Sequence, residues 1–144
     1  MAGEKGNYWS SAILGLLFNG TPIANIADNA AASPLTNLFL ALHTADPGAP
    51  GNQATSEVAY TGYVRAQVSR TTGGWTLTAQ SISPAAMVSW APATGGNATA
   101  AFFSIGTNLS GAGNLLYAGP LTPAISISAG VTPQLQPTST ITEA

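Results

Sequence analysis

From Val58 to Arg70 the side chains alternate. Tyr60, Gly62, Val64, Ala66 and Val68 share one face, and Tyr63, Arg65, Gln67 and Ser69 share the other. A period of two is the mark of a strand with one buried side, so the segment predicts a strand with both arginines on its polar face. Before it, Thr36 to Thr44 is apolar on both faces through Leu38, Phe39, Leu40, Ala41 and Leu42. That pattern predicts a strand in the middle of a sheet or under the helix. A different period governs Tyr8 to Phe18, where Trp9, Ile13, Leu16 and Leu17 recur at helical spacing. Asn7 or Ser10 can cap this helix, Asn19-Gly20 supplies a left-handed stop, and Pro22 prevents continuation. Residues 1–7 read as a polar arm, and Thr21 to Ser33 as an irregular connector.

The rest of the chain is short apolar runs between turns. Thr72-Gly73-Gly74 turns the chain into a strand from Trp75 to Gln80. Ile82 to Trp90 follows, with Pro84 placing its start at an edge or bulge. Thr99 to Ile105, Leu115 to Ala118, Ala124 to Ser128 and Val131 to Leu135 continue the series, with Thr140 to Thr142 at the end. Strands at roughly 8–12-residue spacing predict an all-β, antiparallel β-sandwich or jelly-roll-like domain. We expect about 7–8 short strands, one N-terminal helix over 8–18, and a single domain over 8–144. No internal repeat of fixed period is visible.

Composition adds one constraint. Charged residues are 6% of the chain, against roughly 25% in typical soluble proteins. Its 45% of hydrophobic residues argue against a disordered chain. Charge depletion at this level points to a surface covered by other subunits. Lys5, Arg65 and Arg70 are the only cations, too few for the phosphate neutralisation that nucleic-acid binding requires. There is no cysteine, hence no disulfide frame or thiolate site. The longest apolar run, Ala12 to Phe18, is far short of the ~20 residues of a spanning helix. No membrane partner is expected.

Candidate chemistry is sparse. His43 is the only histidine, and at the end of a buried strand it reads as a hydrogen-bonded structural residue. A hydrolytic triad would need it beside Asp46 and an activated serine, and no serine sits in a nucleophile-elbow context. Asp46 and Glu57 flank one long loop, from Ala45 to Ser56. They read as loop-capping groups or as partners of Arg65 and Arg70. With Asn52 they have the ligand types of a calcium site, but no metal and no cofactor is expected. Asp46-Pro47-Gly48 and Ala49-Pro50-Gly51-Asn52 are turn sequences. A loop this long is expected to be functional or packed against something.

A resemblance carries the reading further. Leu38 to Gly48 (LFLALHTADPG) and Glu57 to Arg65 (EVAYTGYVR) resemble a family of small tailed-bacteriophage virion proteins. Ala12 to Thr21, Ala93 to Thr107 and Gly113 to Leu121 match its other patterns. The resemblance implies a virion structural protein, not an enzyme, and transfers no catalytic residue. Members are often labelled tail fibre proteins, and domains of this size also serve as capsid cement. The first expectation is a capsid decoration protein on the head surface, bridging major capsid subunits and bound to copies of itself as a dimer or trimer. The alternative is a tail-associated fibre, or a receptor- or glycan-binding module. Tyr8 and Trp9 on the helix are expected at interfaces. So are Asp46, Asn52 and Glu57 on the loop, and Tyr63, Arg65 and Arg70 on the alternating strand.

Overall fold

The computed structural model describes residues 7–23 and 34–143. Most of the expected arm and connector lie outside these residues. The helix is α1 (Asn7–Asn19). The strands are β1 (Asn37–His43), β2 (Ala66–Ser69), β3 (Trp75–Thr78), β4 (Ser81–Pro84), β5 (Val88–Ser89), β6 (Ala98–Gly106), β7 (Leu115–Ile127), β8 (Gln134–Leu135) and β9 (Ile141–Thr142). They form three antiparallel sheets, ordered β2-β1-β6-β7, β3-β4-β9 and β5-β8. This is the all-β class that the sequence pattern predicts. The chain divides into two compact units, one of residues 1–36, 69–87 and 136–144, the other of residues 37–68 and 88–135.

In the first unit, α1 buries Ser10, Leu14, Gly15 and Phe18. The expected stripe of Trp9, Ile13, Leu16 and Leu17 is only half-buried. The helix is rotated from that expectation because its partner is an aromatic anchor. Phe18 meets Trp75 edge to face, with ring centroids 4.6 Å apart. Gly15 leaves room for Leu77, which a Cβ there would approach to 3.6 Å. Burying Leu14, Phe18 and Trp75 contributes on the order of 2 kcal/mol each. Trp75 Nε1 is buried without a hydrogen-bond partner among the described residues.

The end of α1 follows the sequence expectation. Gly20 adopts φ +65°, and Thr21 N–H bonds back to the Gly15 carbonyl at 3.0 Å. Arg70, one of the residues expected at interfaces, closes this helix terminus. Its guanidinium donates to the carbonyls of Leu16 and Leu17 at 2.6 Å each and to Leu35 at 3.1 Å. These carbonyls carry the negative end of the helix dipole.

In the second unit, β1 pairs with β6 in an unbroken register from Phe39↔Gly106 to His43↔Phe102. Leu38, Leu40, Ala41, Leu42, Ala100 and Ile105 are essentially inaccessible. β6 then pairs with β7, which forms the outer edge. The two expected strands Leu115–Ala118 and Ala124–Ser128 are one strand, because both ends keep pairing with β6. Between Ala100↔Ile125 and Phe102↔Pro120 the register shifts, and residues 121–124 bulge out. Edge position makes Pro120 tolerable, since an edge strand uses only one of its two sides for the ladder.

The clearest correction concerns Val58 to Arg70. Only Ala66–Ser69 is strand. Gly62 turns the backbone at φ +97°, which breaks the alternation. Val64, expected inside, is 53% exposed, and Arg65, expected on the polar face, is 4% exposed. The expected Ile82–Trp90 strand likewise divides into β4 and β5.

Replacing Arg70 by Met should destabilise the first unit by about 1.5–3 kcal/mol, the scale of a lost charged hydrogen bond. Urea unfolding checks this, and an unchanged midpoint would refute the capping role.

Candidate functional site

The site grows from the backbone of β1. One side of this strand is served by β6. On the other side β2 is too short to pair its whole length, and buried N–H and C=O groups must find partners. Loops and side chains supply them. Val58 N–H donates to the Leu42 carbonyl at 2.9 Å, and Thr44 N–H to Ser56 O at 2.8 Å. Leu42 N–H donates to the Tyr63 hydroxyl oxygen at 3.0 Å. Trp90 Nε1–H donates to Leu40 O at 3.1 Å. Between Gly62 and β2 the chain therefore reaches β1 through the Tyr63 side chain, before β2 pairs with it.

Three contacts hold the 45–57 loop onto this frame. The first is Gln53, which is fully buried. Its Nε2 donates to Phe39 O, its Oε1 accepts from Asn108 N–H, both at 3.0 Å, and its own N–H donates to Ala112 O at 2.8 Å. Two glycines make room for it. A Cβ on Gly106 would stand 2.1 Å from Gln53 Cδ, and one on Gly113 would stand 2.4 Å from Gln53 Oε1.

The second contact is His43, also fully buried. Its Nδ1 lies 2.8 Å from Thr55 O, and its Nε2 lies 2.7 Å from Ser104 Oγ. A carbonyl only accepts, so Nδ1 carries the proton and Nε2 accepts from the serine hydroxyl. Burial holds the imidazole below its ordinary value of 6.5, against the upward pull of the Thr55 carbonyl and Glu57. The Ser104–His43 pair has the distance of a nucleophile and its base. Neither residue is exposed to solvent, and the group orienting the ring is a carbonyl, not a carboxylate. The pair is a structural tie, as read from the sequence.

The third contact is ionic. Arg65 Nε donates to Glu57 Oε1 at 2.7 Å and a terminal nitrogen to Oε2 at 2.8 Å. Tyr63 donates its hydroxyl to Glu57 Oε1 at 2.8 Å. The remaining guanidinium donors reach Asn108 O at 2.8 Å and Gly111 O at 2.6 Å. Hydrogen bonding to Glu57 raises the arginine further above its usual range. Burial, first of all, holds the Tyr63 proton far above its normal loss. Arg65 thus splints two loops, 45–57 and 107–114.

Of the residues expected at interfaces, Glu57, Tyr63 and Arg65 come together here. Asp46 and Asn52 lie in the same loop but serve local turns, accepting from Gly48 and Ala54 N–H at 2.9 Å each. Among the described residues no group of His, Cys, Asp or Glu is placed to hold a metal ion. Tyr8, 70% exposed, and Trp9 belong to the first unit, where Tyr8, Ala12, Ile23 and Leu77 help to line an apolar hollow of about 290 Å³. Gln53 was missed, because a glutamine in a Gly/Pro-rich loop carries no signal of burial. The one available hint was the pair Gly106 and Gly113, which reads as turn chemistry until the residue between them is known.

Above the ion pair lies an open hollow of about 330 Å³, lined by Glu57, Tyr63, Val64, Arg65 and Leu109 to Gly111. Val64 and Leu109 stand exposed at its sides, Leu109 at 47%. The polar floor is engaged with itself, and the walls are apolar. Such a surface is suited to contact.

The fold and this site define a small β-structural protein whose polar side chains fix loops in place. Residues 4–142 match the family described as podophage GP4 fiber I protein gp80. The chain belongs to that family and is a fibre-type structural protein of a tailed-phage virion. None of the curated proteins compared with it matches.

Two outcomes test this construction. Gly106→Ala should destabilise the second unit by about 1–3 kcal/mol or more, as overpacking does. Arg65→Met and Glu57→Leu should each cost about 3 kcal/mol or more, and the double variant clearly less than their sum. Additive losses in chemical denaturation would show that the pair is not coupled.

Proposed function

We propose that this protein is a tail-associated fibre component that works embedded among neighbouring subunits. One observation carries the reading: no charged residue occurs between Arg70 and Glu143. Of the three cations, Arg65 and Arg70 are engaged internally. A surface so poor in charge lacks the repulsion that keeps free proteins apart, and suits a chain that is covered on assembly. The fibre description of its family supports the tail. The hollow between Val64 and Leu109, with its rigid floor, is the face we assign to a partner subunit or to a receptor.

A second reading, capsid cement bound to the major capsid protein, is favoured by a different observation. Most strands are short, no fixed repeat runs through the sequence, and the described residues fold into compact units. A fibre shaft would show repeats and length. In this role each copy would bridge capsid subunits by interface burial, with the helix, the 45–57 loop and the residues after Leu135 as contact segments.

Copy number separates the two. Quantitative mass spectrometry of purified virions should give a few copies per tail symmetry position if the first reading holds. A number of the same order as the major capsid protein would overturn it in favour of cement. Deleting residues 1–9 should lower occupancy on virions in either role.

A further inference from the structure

The 45–57 loop is tied to the central sheet through an imidazole. Thr55, on the loop, accepts from His43 Nδ1–H, and Ser104, on β6, donates to Nε2. Both ring nitrogens are engaged, and the ring is wholly enclosed. This arrangement is satisfied in one protonation state. A second proton would go to Nε2 and turn it from acceptor to donor. The Ser104 hydroxyl would have to rotate from giving a hydrogen bond to receiving one. A positive charge would also stand in a site without water.

We propose that His43 makes the 45–57 loop an acid-releasable clasp. The two partners differ in freedom. Ser104 is fixed in β6, between β1 and β7, whereas Thr55 sits in a surface loop. Lifting the Thr55 end gives up a hydrogen bond that favours the cation, but it brings solvent to a charged ring that burial disfavours more strongly. The charged groups around it are few: Glu57 and Asp46 favour the cation, and Arg65 opposes it. Glu57 is already paired with Arg65 at 2.7 Å, which weakens its ability to compensate. Release would uncover the C-terminal end of β1 on the side away from β6, where Val58 now bonds the Leu42 carbonyl and Thr44 bonds Ser56 O. A free β1 edge and a free loop are both surfaces on which a neighbouring strand can dock. This inference holds wherever on the virion the protein sits.

The sign follows from proton counting. The open or unfolded chain takes up a proton near the ordinary histidine value of about 6.5, and the closed form does so only at lower pH. Closure is therefore fully favoured above that value. It is lost as pH falls through it, by up to about tenfold in equilibrium constant per pH unit for one proton. Below the closed-state value the loss levels off.

Amide hydrogen exchange on the full chain tests the clasp. Protection factors at Val58 and Gln53 should fall between pH 7.5 and 5, while the β1–β6 ladder amides keep theirs. His43→Gln, which can still donate to Thr55 and accept from Ser104 but does not titrate, should show no such fall. Nitrogen NMR of the wild-type imidazole gives a readout independent of the variant's folding, with the Nδ1–H tautomer expected at pH 7.5. Protection that does not change with pH, an equal fall in His43→Gln, loss spread over every amide, or a ring titrating at or above its ordinary value would each overturn the proposal.

Discussion

The second unit depends on one constraint: β1 has two hydrogen-bonding sides and a full-length strand on only one of them. An apolar strand can be fully buried only if both rows of peptide groups are satisfied. β6 serves one row over the whole register. The other row is paired by β2 over part of its length and completed by a loop backbone, a phenol and an indole. That requirement explains why polar residues sit so deep here. Gln53, His43 and Arg65 are buried because each satisfies backbone or loop groups that no strand reaches. Their polarity is matched almost atom for atom, which is what makes such networks stabilising rather than costly.

The placement of charge follows from the same constraint. A chain with three cations puts one across two loops and another over a helix terminus. In both positions arginine donates to several carbonyls at once, which the planar guanidinium permits and an ammonium does not. The described surface is left with little charge. The arginines that brace each unit from within are thereby engaged by carbonyls and a carboxylate, and large apolar side chains such as Tyr8, Val64 and Leu109 stand exposed on a surface with little charge. Such a face resists association weakly.

How much of this was legible depended on how local the cause was. The helix, its glycine stop and β1 were readable because spacing and turn chemistry act within a few residues. So was the structural role of His43. The Val58–Arg70 strand was misread because its alternation is real but interrupted. Gly62 turns the chain, and just after it Val64 faces water and Arg65 the interior, while from Ala66 the expected alternation resumes. Glycine in an alternating run carried the warning. The helix face was misassigned by about one position, because helical spacing alone fits both the stripe through Trp9 and Ile13 and the one through Leu14 and Phe18. Packing around Trp75 selected Leu14 and Phe18 instead. No local pattern could reveal Gln53, whose partners lie 14 and 55 positions away.

The Ser104–His43 pair shows why geometry must be read together with access. A hydroxyl 2.7 Å from an imidazole nitrogen meets the distance test for an activated nucleophile. The same ring, however, donates to a peptide carbonyl that cannot stabilise an imidazolium as a carboxylate would. Both groups are sealed from solvent, so no substrate atom can reach the oxygen. The hydroxyl proton points toward the ring because the ring is neutral, and the ring is neutral because it is buried. The features that exclude catalysis are therefore the ones that tie loop to strand. A buried histidine held between a loop carbonyl and a strand hydroxyl differs from a catalytic one chiefly in what its hydrogen bonds do: they join two segments of chain instead of preparing a bond to break.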